Sequence, residues 1–150
     1  EFGEESFDIV VCTEVLEHVR EWKKAVSNIK DVLVPGGILL LTTRSIGFPY
    51  HSYPDDFWRF EKKDLRRIFS DMEIIALETD SMFPGVFLKA VKMNDDREKD
   101  LDSIEIFSII EGERIKELEM DFSNRMKLFF MVLLEKIKEG IRETGRWIID

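Results

Sequence analysis

Glu14, Glu17 and His18 stand at i, i+3 and i+4, and on a helix that spacing turns all three toward one side. Two carboxylates and an imidazole could hold a divalent cation or handle a proton. The commoner arrangement is a pair of acids favoured at a helix start by its dipole, with a hydrogen-bonded histidine beside them. A second group lies in Arg44 to Phe60, RSIGFPYHSYPDDFWRF. His51 is the candidate general base there, since imidazole titrates near neutral pH, and Tyr50 and Tyr53 flank it. Asp55 and Asp56 could orient it or bind a polar acceptor; a turn-forming Asp pair after Pro54 is the plainer use. Phe57, Trp58 and Phe60 could wall off a site and face a cation. Packing the loop onto a sheet is the commoner role of such a cluster. Arg59 could pair with a carboxylate or phosphate on a substrate, although an internal salt bridge is the more frequent outcome. The catalytic candidates are thus His51 and Asp55, and the acceptor-binding candidates are Tyr50, Tyr53, Phe57, Trp58 and Arg59.

These residues need elements to position them. Phe7 to Cys12 (FDIVVC) is a β-rich apolar run of the kind buried on both faces in a parallel sheet. From about Glu14 to Leu33 a helix is expected, with Trp22, Ala25, Val26, Ile29, Val32 and Leu33 on one face. Pro35-Gly36-Gly37 should stop it, and Ile38 to Thr43 (ILLLTT) is a second buried strand. Strand, helix and strand at this spacing predict a parallel βαβ unit. Ligands of such sheets sit beyond the carboxyl ends of the strands. Those positions are Cys12, Thr13 and Glu14 after the first strand and Thr43, Arg44 and Ser45 after the second. Cys12 itself reads as a small core residue, not a nucleophile.

The loop ends in a short helix near Lys62 to Ser70. Glu73–Thr79 and Val86–Met93 then read as an antiparallel pair of strands. Beyond a charged junction at Asn94–Asp102, the step of 3 or 4 from Ile115 through Leu118, Phe122, Met126, Phe129, Leu133, Ile137 and Ile141 predicts one continuous helical stripe.

With 150 residues the chain is long enough for one domain with a substantial core. A net charge of -9 argues against a nucleic-acid surface, because phosphate neutralisation needs a basic face. One cysteine excludes an intrachain disulfide and any multi-cysteine zinc site, so a cytoplasmic, reducing setting is the default expectation. The longest apolar run, Leu128 to Leu134, is far short of a membrane span. The chain opens on Glu1 and enters a strand pattern almost at once, as a piece of a longer protein would.

FDIVVCTEVLEHV, then a helix, PGG and the strand ILLLTT resemble the second half of class I S-adenosylmethionine-dependent methyltransferases of the type 11 branch. HSYPDDFWRF and the short helix after it also resemble that branch, and the match covers roughly residues 5–93. The resemblance implies an α/β, Rossmann-like half sheet with strands 4-5-7-6 and a carboxyl-terminal helical extension. It splits the chain into a partial methyltransferase domain, 1–93, and a helical tail, 94–150, packed on that domain or on a second chain. Phe7–Cys12 would be the fourth strand and Ile38–Thr43 the fifth. S-adenosylmethionine is the implied cofactor, with Thr13 against its methionine portion. The Glu14, Glu17, His18 cluster is similar to a magnesium site ascribed to ubiquinone-pathway O-methyltransferases, but the same Glu-His pair is widespread without metal, and none is expected.

The sequence holds no G-x-G turn following a first strand and no ribose-binding acidic residue at the end of a second. The expectation is therefore a methyltransferase half acting on a small-molecule acceptor when intact. Its Phe7–Cys12 edge would be covered by a second copy, by the tail or by an amino-terminal segment, because a bare apolar edge strand invites pairing. The alternative is a non-catalytic subunit that dimerises or completes a partner. A weaker possibility is contact of Phe129–Leu134 with a membrane surface.

Overall fold

The computed structural model describes residues 2–51, 55–94 and 100–146. Strand β1 is Phe7–Thr13, and a single 3-10 turn, Leu16–His18, links it to helix α1, Trp22–Val32. Then come β2 (Leu33–Arg44), β3 (Trp58–Arg59), α2 (Lys62–Ile68), β4 (Met72–Thr79) and β5 (Gly85–Lys92). The short strands β6 (Ile106–Ser108) and β7 (Glu113–Ile115) precede α3, Phe122–Arg146.

The main sheet has the order β1-β2-β5-β4. β1 and β2 run parallel, with Val10 opposite Leu39 and Cys12 opposite Leu41. β5 is antiparallel to both β2 and β4. This is the mixed half sheet expected, with the strand order that the resemblance implies, 4-5-7-6, in an α/β fold. Alternation sorts its residues into two faces. Val10, Cys12, Leu39, Leu41, Leu88 and Ala90 join the core, into which α1 sends Trp22 and Val26 and α2 sends Leu65 and Ile68. The opposite face carries Ile9, Val11, Leu40 and Phe87, all exposed, with Val11 64% accessible. Strands that are apolar on both sides belong to sheets covered on both sides. Here one side is bare among the described residues.

The single helix expected from Glu14 to Leu33 does not form as such. Glu14 takes a left-handed backbone (φ 54°), which ends any helix there, and α1 starts only at Trp22. The helix ends at Val32, ahead of Pro35-Gly36-Gly37, and β2 begins at Leu33 and runs through those three residues instead of starting at Ile38. The register jumps between Phe7 and Ile9, Gly36 turns at φ 81°, and a Cβ on Gly37 would lie 2.8 Å from the Val34 carbonyl oxygen.

The long carboxyl-terminal stripe is also divided. Ile104, Ile106, Ser108 and Ile110 alternate inward with period 2. β6 and β7 form a hairpin whose turn contains Gly112 at φ 76°, and β6 pairs with β3 in a second, three-stranded sheet. Leu101, Ile104, Ile106, Ile110 and Leu118 enter the same core as the main sheet. The helix begins at Phe122. Asp121 caps it, accepting the Asn124 N–H at 2.8 Å. Of the stripe on α3, Phe122, Phe129, Leu133, Ile137 and Ile141 are exposed and Met126 is half-buried. No helix among the described residues is long and apolar enough to cross a membrane.

Candidate functional site

Polar side chains gather where β1 and β2 end. Thr13, exposed, lies opposite Thr42. Glu14 turns toward β2, accepting the Thr42 hydroxyl at 2.9 Å and pairing with Arg44. Its left-handed backbone is a strained conformation for a non-glycine residue, held by these contacts and by its own N–H on the Thr42 carbonyl at 3.0 Å. Glu17 points the other way and is fully buried. Thr43 donates its hydroxyl to Glu17 Oε2 at 2.8 Å, whereas Oε1 has no partner among the described residues. Burial, the largest influence, pushes this carboxyl above its usual range against the hydrogen bond from Thr43. Burial and then the Glu17 charge push the Cys12 thiol up to about 11, so it stays protonated and unreactive at neutral pH.

The loop after β2 folds back over this group. Phe57 donates its N–H to the Glu17 carbonyl at 2.8 Å, and Phe60 donates to the Arg44 carbonyl at 2.9 Å. The Trp58 indole N–H reaches the carbonyls of Val19 and Arg20, both at 3.1 Å. His18 Nδ1 lies 2.6 Å from the Asp55 carbonyl. A carbonyl can only accept, so Nδ1 carries a proton and Nε2 is the ring nitrogen left for another partner. These bonds carry His51 to His18, with ring centroids 4.7 Å apart and nearly perpendicular. His51 Nδ1 sits 2.8 Å from Asp56 Oδ2, close but without the alignment of a hydrogen bond. The His51 backbone N–H donates to the same oxygen at 3.1 Å.

Asp56, not Asp55, is thus the acid beside His51. Burial acts upward on Asp56, but the hydrogen bonds of Arg59 and the His51 contact overcome it and hold the carboxyl below its usual range. Arg59 is buried and fully engaged. Its two terminal nitrogens reach Asp56 at 2.6 and 2.7 Å, and its remaining donors go to the carbonyls of Phe48, Pro49 and Trp58. The internal salt bridge is therefore the arrangement adopted, and this guanidinium has no donor left for a substrate. Trp58 and Phe57 are buried as loop packing. Tyr50 remains near the site with a buried hydroxyl that has no partner among the described residues. Burial first, then the charges of Asp55, Asp56 and Glu135, push it up to about 12. Tyr53 lies outside the described residues.

The cluster expected from helical spacing is rearranged. Glu14 leaves it because no helix runs from 14 to 18, and His51 takes its place: Glu17, His18 and His51 now offer ligand atoms within 4.8 Å of one another. Thr43 is the support that sequence reasoning assigned no role toward these groups. The polar Thr42-Thr43-Arg44 close of an otherwise apolar strand was the available signal.

Residues 1–41 match a family model described as a methyltransferase domain. Among solved structures, the fold is similar to that of S-adenosylmethionine-dependent methyltransferases from Methanosarcina mazei, at 15% identity and a TM-score of 0.53, over 63% of each chain. It is also similar to the Burkholderia thailandensis 1,6-didemethyltoxoflavin-N1-methyltransferase, bound to 1,6-didemethyltoxoflavin and S-adenosylhomocysteine. That likeness has 14% identity and a TM-score of 0.50, over 63% of this chain and 47% of that one. The chain thus spans less than two thirds of either structure's length. None of the curated proteins compared matches. The fold is that of S-adenosylmethionine-dependent methyltransferases, consistent with the type 11 resemblance carried by FDIVVCTEVLEHV and the blocks after it.

Proposed function

We propose that this chain is the carboxyl-terminal, acceptor-side half of an S-adenosylmethionine-dependent methyltransferase acting on a small polar molecule. One observation carries the reading. The sheet has the methyltransferase order, yet its first strand is an edge and one whole face presents Ile9, Val11, Leu40 and Phe87 to solvent. A face of that kind calls for a second layer, which the cofactor-binding half of such a fold supplies. Methyl transfer asks the protein mainly for orientation, water exclusion and a base for the acceptor's proton. His51, backed by Asp56 and partly open to solvent, is the group here able to take that proton. In this reading Thr13 and Glu14, at the end of β1, lie on the cofactor's side of the site.

The test is transfer of labelled methyl from S-adenosylmethionine by the complete enzyme, in which this chain is joined to its cofactor-binding half. Changing His51 to Ala should slow single-turnover transfer by about 10²–10⁴-fold while leaving cofactor affinity unaltered. An unchanged rate would remove His51 from the chemistry.

A further inference from the structure

We propose that Glu17, His18 and His51 form a binding site for one divalent cation of the zinc or ferrous class. The chain contains only two histidines, 33 positions apart, and the fold brings both rings to the same buried carboxylate. Glu17 is fully buried, and its Oε1 has no hydrogen-bond partner among the described residues. An unsatisfied buried carboxylate oxygen costs free energy that either a proton or a cation would recover.

The surroundings have the form that metal sites use. A ligating histidine usually gives its second nitrogen to a carbonyl or carboxylate, which fixes the ring and directs the lone pair. His18 gives Nδ1 to the Asp55 carbonyl, and Asp56 Oδ2 lies 2.8 Å from His51 Nδ1, near enough to align with it once the ring moves. Asp56 is itself anchored by Arg59. The Thr43 hydroxyl on Oε2 orients the Glu17 carboxylate in the same way. The ligand atoms span up to 4.8 Å, whereas the edges of a tetrahedral zinc site measure about 3.3 Å. Binding must therefore draw the groups inward. His51, on the loop and 35% exposed, is the ligand free to do so and marks the way in from solvent.

Two imidazoles and one carboxylate select zinc, cobalt or ferrous iron over magnesium and calcium, which prefer all-oxygen shells. Three protein ligands also leave coordination positions open for an exogenous oxygen donor. A cation here would occupy a nitrogen of His51, so metal binding and proton transfer by that ring exclude one another in the same molecule. The inference does not rest on the methyl-transfer reading, because occupancy is read without turnover.

The experiment titrates the metal-free chain with Zn2+ by calorimetry and with Co2+ by visible absorption, alongside His51→Ala, His18→Ala and Glu17→Gln. One equivalent should bind, with cobalt bands of mixed nitrogen and oxygen ligation, and Mg2+ at the same concentration should give no heat. Each histidine variant should weaken binding by more than 100-fold, beyond the roughly 10–100-fold typical of outer-shell changes. His51 is loop-borne, so its variant keeps the test decisive should Glu17→Gln fail to fold. No stoichiometric binding at millimolar Zn2+, binding that survives both histidine changes, or a preference for Mg2+ would overturn the proposal.

Discussion

Replacing Arg59 with alanine should lower stability by about 3–5 kcal/mol, read as a fall in the urea midpoint with little change in slope. The side chain is 1% exposed and its partner Asp56 is fully buried, so truncation strands a carboxylate that water cannot reach. The carbonyls of Phe48, Pro49 and Trp58 lose their donor in the same step. Arg59→Lys keeps the charge but lacks the planar fork that spans both Asp56 oxygens, so its loss should fall between wild type and alanine. The acid limb should change as well. Asp56 is held below its unfolded range, so its contribution is complete above about pH 4 and is lost as pH falls through the lowered folded value. Without Arg59 that part of the acid dependence should shrink. An alanine variant within 1 kcal/mol of wild type would show that the Asp56–Arg59 clamp does not hold the loop.

Trp58→Ala should cost a similar amount, about 3–5 kcal/mol, for a different reason. The indole is fully buried, and its N–H joins the loop to the carbonyls of Val19 and Arg20, just past the turn that carries Glu17 and His18. Trp58→Phe should recover most of the burial term but leave those carbonyls without their donor, a residual loss of about 1–3 kcal/mol. Because Phe57 and Phe60 bond the same loop to Glu17 and Arg44, the alanine change should also loosen His51 from His18. Chemical shifts of the two imidazoles would report it. Equal stabilities for Trp58→Ala and Trp58→Phe would show that burial of the indole contributes nothing.

Strands β1 and β2 were readable because continuous apolar runs flanking an amphipathic stretch have few other uses. The turn from Glu14 to Val19 was not. Its i, i+3, i+4 spacing fits a helix, but the pull of Thr42 and Arg44 on Glu14 and of Thr43 on Glu17 draws the two acids to different places. Nothing local announces such tertiary bonds. The hairpin β6–β7 did leave a mark in the alternation of Ile104, Ile106, Ser108 and Ile110. It was masked by the 3-and-4 step from Ile115, which is a helical signal only from Phe122 onward. That His51 would face Asp56 instead of Asp55 depends on the path of a long loop, where adjacent acids are interchangeable to any periodicity argument. For the loop's aromatic and Arg residues packing is the alternative use, and Trp58 and Arg59 are buried.

The account depends on the sheet being one layer short on the face of Ile9, Val11, Leu40 and Phe87. Calorimetric titration of this 150-residue chain with S-adenosylmethionine, and separately with S-adenosylhomocysteine, tests that most directly. The prediction is no saturable heat at millimolar ligand, because no glycine-rich turn after a first strand is available here to cradle the cofactor. Stoichiometric binding at micromolar concentration would contradict it, and would mean that this half sheet already contains a complete cofactor site.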